Sequence, residues 1–168
     1  MDINLDIDVN QLLPGEPLRL GVDLIANKGA GGLIVVGTSN KLEKISSGGL
    51  NLHNCEYTPE MLSELAKMDG AIIVSEDVKK ILKANVHLNP NDKIQTSETG
   101  TRHRTAQRTS SETNLPVIAV SEESSLIKVF NNYSVTELEE SNIILGRVNE
   151  SLQSIDRMRR RFDEAVAT

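Results

Sequence analysis

Met68-Asp69-Gly70-Ala71-Ile72-Ile73-Val74 is the stretch on which the fold turns. Its apolar run is too short for a helix, has no polar alternation and is entered through an Asp-Gly break. Such a segment reads as a strand buried on both faces. Outward from it, Leu33-Ile34-Val35-Val36-Gly37 follows a glycine pair and Leu115-Pro116-Val117-Ile118-Ala119-Val120 follows a polar stretch. Both carry the same signature of a buried strand.

Helical patterns separate these strands. Pro17 opens a segment with Leu18, Val22, Leu24 and Ile25 that closes at Lys28-Gly29. Thr58-Pro59-Glu60 is a helix start, with Thr58 as N-cap, Pro59 in the first turn and Met61, Leu62 and Leu65 on the apolar face. Glu76 to Ala84 and Thr101 to Thr109 read as helices, Ser46 to Gly49 as a glycine turn, Asn85 to Leu88 as a short strand and Ser125 to Phe130 as an edge strand. Asn89 to Gly100 is polar and turn-rich, hence a loop. The alternation predicts an α/β fold, a layered domain with a central mixed β-sheet flanked by helices.

From Val135 onward Leu138, Leu145, Val148, Leu152, Ile155, Phe162 and Val166 recur at spacings of three, four or seven on a charged background. That is a long C-terminal amphipathic helix. Expected boundaries are residues 1–133 for the layered domain and 134–168 for the helix. The run Arg157, Arg159, Arg160, Arg161 fits a solvated face or a charge complement to the helix end, with a nucleic-acid or partner contact as the alternative.

Composition narrows the function. With two Phe, two Tyr, no Trp and a net charge of −6, the chain lacks both the aromatic platforms and the basic surface of a general single-strand binder. Cys55 is the sole cysteine, which excludes an intrachain disulfide and a multi-thiolate metal site. The acidic N-terminal residues Asp2, Asp6 and Asp8 do not form a signal peptide, and no apolar run approaches the roughly 20 residues of a membrane span. The expected location is the cytoplasm.

Two polar clusters are candidates for chemistry. Ser97-Glu98-Thr99-Gly100-Thr101-Arg102-His103-Arg104-Thr105 sets a glycine and a hydroxyl at a helix start, then two arginines around a histidine. Free helix N–H groups, the positive dipole end and planar guanidinium forks suit phosphate oxygens. Asp69-Gly70-Ala71 pairs a carboxylate that can hold a divalent cation with a glycine that permits close backbone approach. Taken singly, the first is more often a solvated basic helix and the second a turn. No Walker A pattern and no dinucleotide fingerprint is present, and Gly29, Gly31 and Gly32 precede a strand, which argues against phosphate binding there. His53, His87 and Cys55 read as packing or surface residues.

Read together, the clusters resemble the diadenylate cyclase family, in particular its DNA-integrity-scanning type. The resemblance rests on Leu65-Ala66-Lys67-Met68-Asp69-Gly70-Ala71, on Leu82-Lys83-Ala84-Asn85-Val86 and on Thr96 to Ala106, and runs from about Pro14 to Val120. It implies condensation of two ATP into cyclic di-AMP and two pyrophosphates, with Mg²⁺ or Mn²⁺. It places Asp69 by the attacking hydroxyl and the metal, Gly70 and Ala71 against the nucleotide, and Thr101, Arg102, His103 and Arg104 along the phosphates. Leu88 would help hold adenine; Gly100, Thr105 and Ser121 are further contacts, and Glu122 is either an exposed loop carboxylate or, as the weaker candidate, a second metal neighbour. It also implies a homo-oligomer of face-to-face dimers, octameric in such relatives. The helix-hairpin-helix repeats that bind DNA in those relatives are absent from this sequence, so no DNA or membrane partner is expected. A nucleotide sensor without turnover and an oligomerisation module built on the C-terminal helix are the alternatives.

Overall fold

The computed structural model describes residues 9–167; Asp2, Asp6 and Asp8 of the acidic N-terminus lie outside them. After a short 3-10 turn at Val9–Leu12, helix α1 (Pro17–Asn27) leads into strand β1 (Gly32–Val36). Helix α2 (Asn40–Ile45), strands β2 (Ser46–Ser47) and β3 (Leu50–Glu56), and helix α3 (Pro59–Leu65) precede strand β4 (Ala71–Val74). Strand β5 (Lys80–Leu88), helix α4 (Thr101–Thr113) and strands β6 (Val117–Val120), β7 (Ile127–Asn131) and β8 (Ser134–Leu138) complete the first unit.

Among the described residues the strands form one mixed sheet in the order β2-β5-β4-β1-β6-β7-β8, with β3 also paired to β5. Only β1 and β4 run parallel; the other pairings are antiparallel. The period-2 alternation of buried strands sorts the core into two faces. Ile34, Val36, Ile72, Val74, Ile118 and Val120 pack against Leu18, Val22 and Ile25 of α1 and Leu62 of α3. Val35, Ala71, Ile73, Val117, Ala119 and Phe130 pack on the other side with Leu42 of α2 and Ala106 of α4. Helices thus cover both faces, as the alternating pattern anticipated.

Local chemistry explains the caps. Thr58 Oγ1 accepts from the Met61 amide at 3.1 Å and starts α3 with Pro59 in its first turn. Ser39 Oγ does the same for α2 through the Leu42 amide at 3.1 Å. That six-residue helix is too short for its periodicity to show in the sequence.

Three sequence expectations are corrected. Glu76 to Ala84 is not a helix but a tight turn followed by β5. The Asp77 carboxylate accepts from the Ser75 hydroxyl at 2.7 Å and the Lys79 amide at 3.1 Å, and Val78 sits at φ 56°. A side-chain-capped turn with a left-handed residue cannot continue as a helix. Ser134–Leu138 is strand β8, paired antiparallel to β7, so the long helix starts at Ser141 rather than near Val135. For the same reason β7 is not an edge strand: β8 covers its outer side.

Residues from Glu139 onward form a second unit. Its helix α5 (Ser141–Val166) has no buried residue among those described. Leu145, Val148, Leu152, Ile155, Phe162 and Val166 make an exposed apolar stripe. Arg159–Asp163 and Arg160–Asp156 are i,i+4 ion pairs on exposed side chains.

Ile34 lies on β1 between β4 and β6 and is fully buried. Ile34→Ala is expected to lower unfolding free energy by about 2–5 kcal/mol, seen as a lower urea midpoint with an unchanged slope.

Candidate functional site

The topology brings four chain segments to one end of the sheet. Parallel pairing of β1 and β4 puts their entrances, Gly31-Gly32 and Asp69-Gly70, side by side. Strand β6 runs antiparallel to β1, with Val120 opposite Gly32, so its exit at Ser121-Glu122-Glu123 arrives at the same end. Strand β5 runs antiparallel to β4, with Val86 opposite Ala71, and delivers Val86-His87-Leu88 there too. The N-terminal turn of α4 closes one side. A cavity of about 560 Å³ opens between these segments, within the roughly 300–1,000 Å³ of small-molecule sites.

The wall includes Asp69, Gly70, Ala71, Leu88, Gly100, Thr101, Arg102, His103, Thr105, Ser121 and Glu122. The two motifs, separated in sequence, therefore meet at one site. Arg104 does not: it is exposed and absent from the wall. Two residues along an α-helix turn the side chain by about 200°, so Arg102 and Arg104 leave α4 on nearly opposite sides.

Helix α4 presents its N-terminus to the cavity with Gly100 as N-cap and no side-chain cap. Its first amides and dipole thus remain available to an anion. The preceding loop is tied down along the helix. Arg108 Nε donates to the Ile94 carbonyl at 2.9 Å, the Asn91 amide donates to Glu112 at 2.7 Å, and the Thr96 hydroxyl meets Gln107. Arg108 is therefore a fastener of the loop. Lys128 of β7 holds Glu98 at 2.9 Å, with both side chains largely covered.

Gly31 is the clearest residue that the sequence reading missed. A Cβ there would fall on the Arg102 guanidinium, including 2.6 Å from Nη2. Gly31 and Gly32, set aside above only as a phosphate-binding motif, both line the cavity, and bare backbone at Gly31 is what gives Arg102 its place. His87, read as a packing or surface residue, lines the cavity as well, together with Leu33, Met68, Val86 and Glu123. Only the strand order reveals these neighbours. His53 stays exposed and Cys55 is a half-buried thiol on β3.

His103 rests edge-on to Phe130, with ring centroids 6.3 Å apart. Burial holds its imidazole below the ordinary histidine range; Glu98 opposes that shift, while Lys128 and Arg102 add to it. A neutral imidazole on the cavity wall can donate one hydrogen bond and accept another.

The carboxylates of Asp69 and Glu122 both line the cavity. Among the described residues no group of three or more His, Cys, Asp or Glu side chains converges on a metal position. This donor set fits a hard cation that takes one or two carboxylates and completes its shell with phosphate oxygens and water; it does not fit a cation caged by protein alone.

Acid should therefore weaken the fold through His103. An unfolded histidine takes up its proton near pH 6.5, above the point at which the folded one does, so stability falls as pH drops below about 6.5 and levels off once both are protonated. His103→Gln is expected to remove this part of the acid loss, measured as urea midpoints between neutral and mildly acidic pH.

Relatives of the chain are found among known proteins. The family model described as "DisA bacterial checkpoint controller nucleotide-binding" matches residues 19–135. The chain is 45% identical over 155 residues to a DNA integrity scanning protein DisA of Clostridium kluyveri, covering 92% of this chain and 44% of that protein. It is 42% identical over 163 residues to the protein of that name in Clostridioides difficile, covering 97% and 46%. The chain thus spans less than half the length of these relatives. Among solved structures, DacA from Staphylococcus aureus, a double mutant, superposes with a TM-score of 0.59 at 26% identity over 77% of this chain and 89% of that one. A hypothetical membrane spanning protein from Bacillus cereus gives 0.63 at 25% identity over 73% and 62%. No helix among the described residues of the present chain is long and apolar enough to cross a membrane. With the family match covering most of its length, and the acidic and basic motifs on one cavity, this chain belongs to the DisA bacterial checkpoint controller nucleotide-binding (DAC) family.

Proposed function

We propose that this chain is a diadenylate cyclase domain, a nucleotidyltransferase that condenses two ATP into cyclic di-AMP and two pyrophosphates. One observation carries the reading: Asp69-Gly70-Ala71 and the Thr101-Arg102-His103 turn of α4 share a cavity of nucleotide size. The 3′-hydroxyl of one ATP attacks the α-phosphorus of the other. The O3′–Pα bond forms, the bond from Pα to the pyrophosphate oxygen breaks, and the hydroxyl proton is released. The same exchange in the opposite sense closes the ring.

Such chemistry is mainly positioning and charge neutralisation. Asp69 stands at the attacking hydroxyl. The first amides of α4, the Thr101 hydroxyl and the Arg102 guanidinium take the phosphates, and His103 adds a neutral donor beside them. Gly70 and Ala71 let the nucleotide lie against backbone. Leu88, buried in the wall, offers adenine an aliphatic surface in place of an aromatic one; Gly100, Thr105 and Ser121 contribute polar or backbone contacts. Arg104, outside the wall and on the other side of α4 from Arg102, contributes only as a surface charge. A divalent cation, Mg²⁺ or Mn²⁺, when bound through Asp69 and Glu122, supplies charge neutralisation at the phosphates.

The product joins two adenylates related by a two-fold axis, so two copies with cavities face to face form the active unit. The layered unit is the catalytic part and α5 serves as a linker helix. By resemblance to the family, such dimers assemble further, into octamers. A net charge of −6 argues against a large nucleic-acid footprint on this chain, and the domain is read as cytoplasmic.

Incubation with ATP and Mn²⁺ is expected to yield cyclic di-AMP with a steep dependence on protein concentration; ATP binding without product would favour a sensor. Asp69→Asn is expected to abolish product while nucleotide binding stays measurable, and undiminished turnover would remove Asp69 from its role. Gly31→Ala displaces Arg102 and should weaken ATP binding by about tenfold, the order expected for losing one charge-assisted contact.

A further inference from the structure

Strand β5 carries an irregularity beside Asp69. Between the pairs Ala71–Val86 and Ile73–Lys83, β4 advances two residues while β5 advances three. The extra residue is a β-bulge, a device that bends a strand and re-aims its neighbours. Asn85 lies within it at φ 54°, a left-handed conformation that asparagine tolerates better than most non-glycine residues. Its side chain turns back across the pairing, and Oδ1 accepts from the Gly70 amide at 3.1 Å.

The contact is close on the main-chain side as well. A Cβ at Gly70 would fall on the Asn85 backbone and 2.7 Å from the Val86 nitrogen. Gly70 therefore docks directly on the bulge, and its one amide hydrogen is spoken for by Asn85. Asp69, a cavity-lining carboxylate, is the residue before that amide. No side-chain hydrogen bond of its own to the protein is found for Asp69 among the described residues, so its aim depends on the peptide plane that follows it.

We propose that Asn85 is a positioning residue of the site: by accepting from the Gly70 amide it orients the Asp69–Gly70 peptide and, through it, the Asp69 carboxylate. The inference rests on the nucleotidyltransferase reading above. It gives the Leu82-Lys83-Ala84-Asn85-Val86 stretch a role that the cavity-wall contacts alone do not. An asparagine suits both demands at once, since it combines tolerance of positive φ with an acceptor of the right reach.

Two variants separate the demands. Asn85→Gly keeps the left-handed backbone at least as easily and removes the acceptor; Asn85→Asp keeps an acceptor oxygen at the same reach. For both, ATP kinetics with Mn²⁺ and amide hydrogen exchange at Gly70 are measured on the full chain. For Asn85→Gly, turnover is expected to fall about tenfold with KM for ATP within about twofold, the pattern of a lost transition-state interaction, and Gly70 exchange to quicken. Asn85→Asp is expected to restore slow exchange and most of the turnover. Wild-type turnover or unchanged Gly70 exchange in Asn85→Gly overturns the proposal, as does an Asn85→Asp variant that exchanges as fast as Asn85→Gly. Absence of cyclic dinucleotide from the unmodified chain would instead overturn the enzyme reading, and the exchange arm would still decide whether Asn85 holds Gly70.

Discussion

The whole site depends on a single parallel pairing. Strands β1 and β4 run side by side in one direction in a sheet that is otherwise antiparallel. Parallel neighbours bring their entrances together, and antiparallel neighbours on either side bring their exits to the same place. Four short segments, none with a binding motif complete in itself, thereby become one cavity. Ile34 opposite Ile72 and Val36 opposite Val74 hold that pairing from the α1 face, with Val35 opposite Ile73 on the other. The core accordingly supplies cohesion and also sets the register at which Asp69 and Gly31 meet.

Charge at the cavity is mixed rather than of one sign. Arg102 and the α4 terminus attract phosphate, while Asp69, Glu122 and Glu123 stand in the same wall. In a chain of net charge −6 this favours a ligand that brings both anionic oxygens and a counter-cation over a bare polyanion. His103 is kept from adding a further positive charge by its burial near Phe130, Lys128 and Arg102. The Glu98–Lys128 pair offsets two charges next to it while fixing the loop that leads into α4.

Much of this was legible in the residues. The continuous apolar runs at Leu33–Val36, Ala71–Val74 and Val117–Val120 announced central strands, and Thr58-Pro59 announced a helix start. The pairing of Asp69-Gly70-Ala71 with Thr101–His103 was legible as a family resemblance, not as geometry. What could not be read were features fixed by distant parts of the chain. Lys80–Leu88 has mixed polarity that suits a helix as well as a strand, and only the Asp77 turn and pairing with both β3 and β4 decide the matter. Ser134–Leu138 is short and mostly exposed, so its pairing with β7 leaves no hydrophobic trace. Arg104 and Arg108 look equivalent to Arg102 in a list of residues. The angular step of the helix sends one to solvent and the other to a loop carbonyl.

Bare backbone at Gly31 and Gly70 has a consequence for inhibition. A compound seated against those stretches would touch atoms that substitution cannot remove. An escape change there can only add atoms, and the first atoms added strike the protein's own Arg102 or the Asn85 backbone. Resistance through that wall would tend to damage the protein before it excluded the compound, whereas contacts made to Leu88 or Thr105 would leave many more routes of escape.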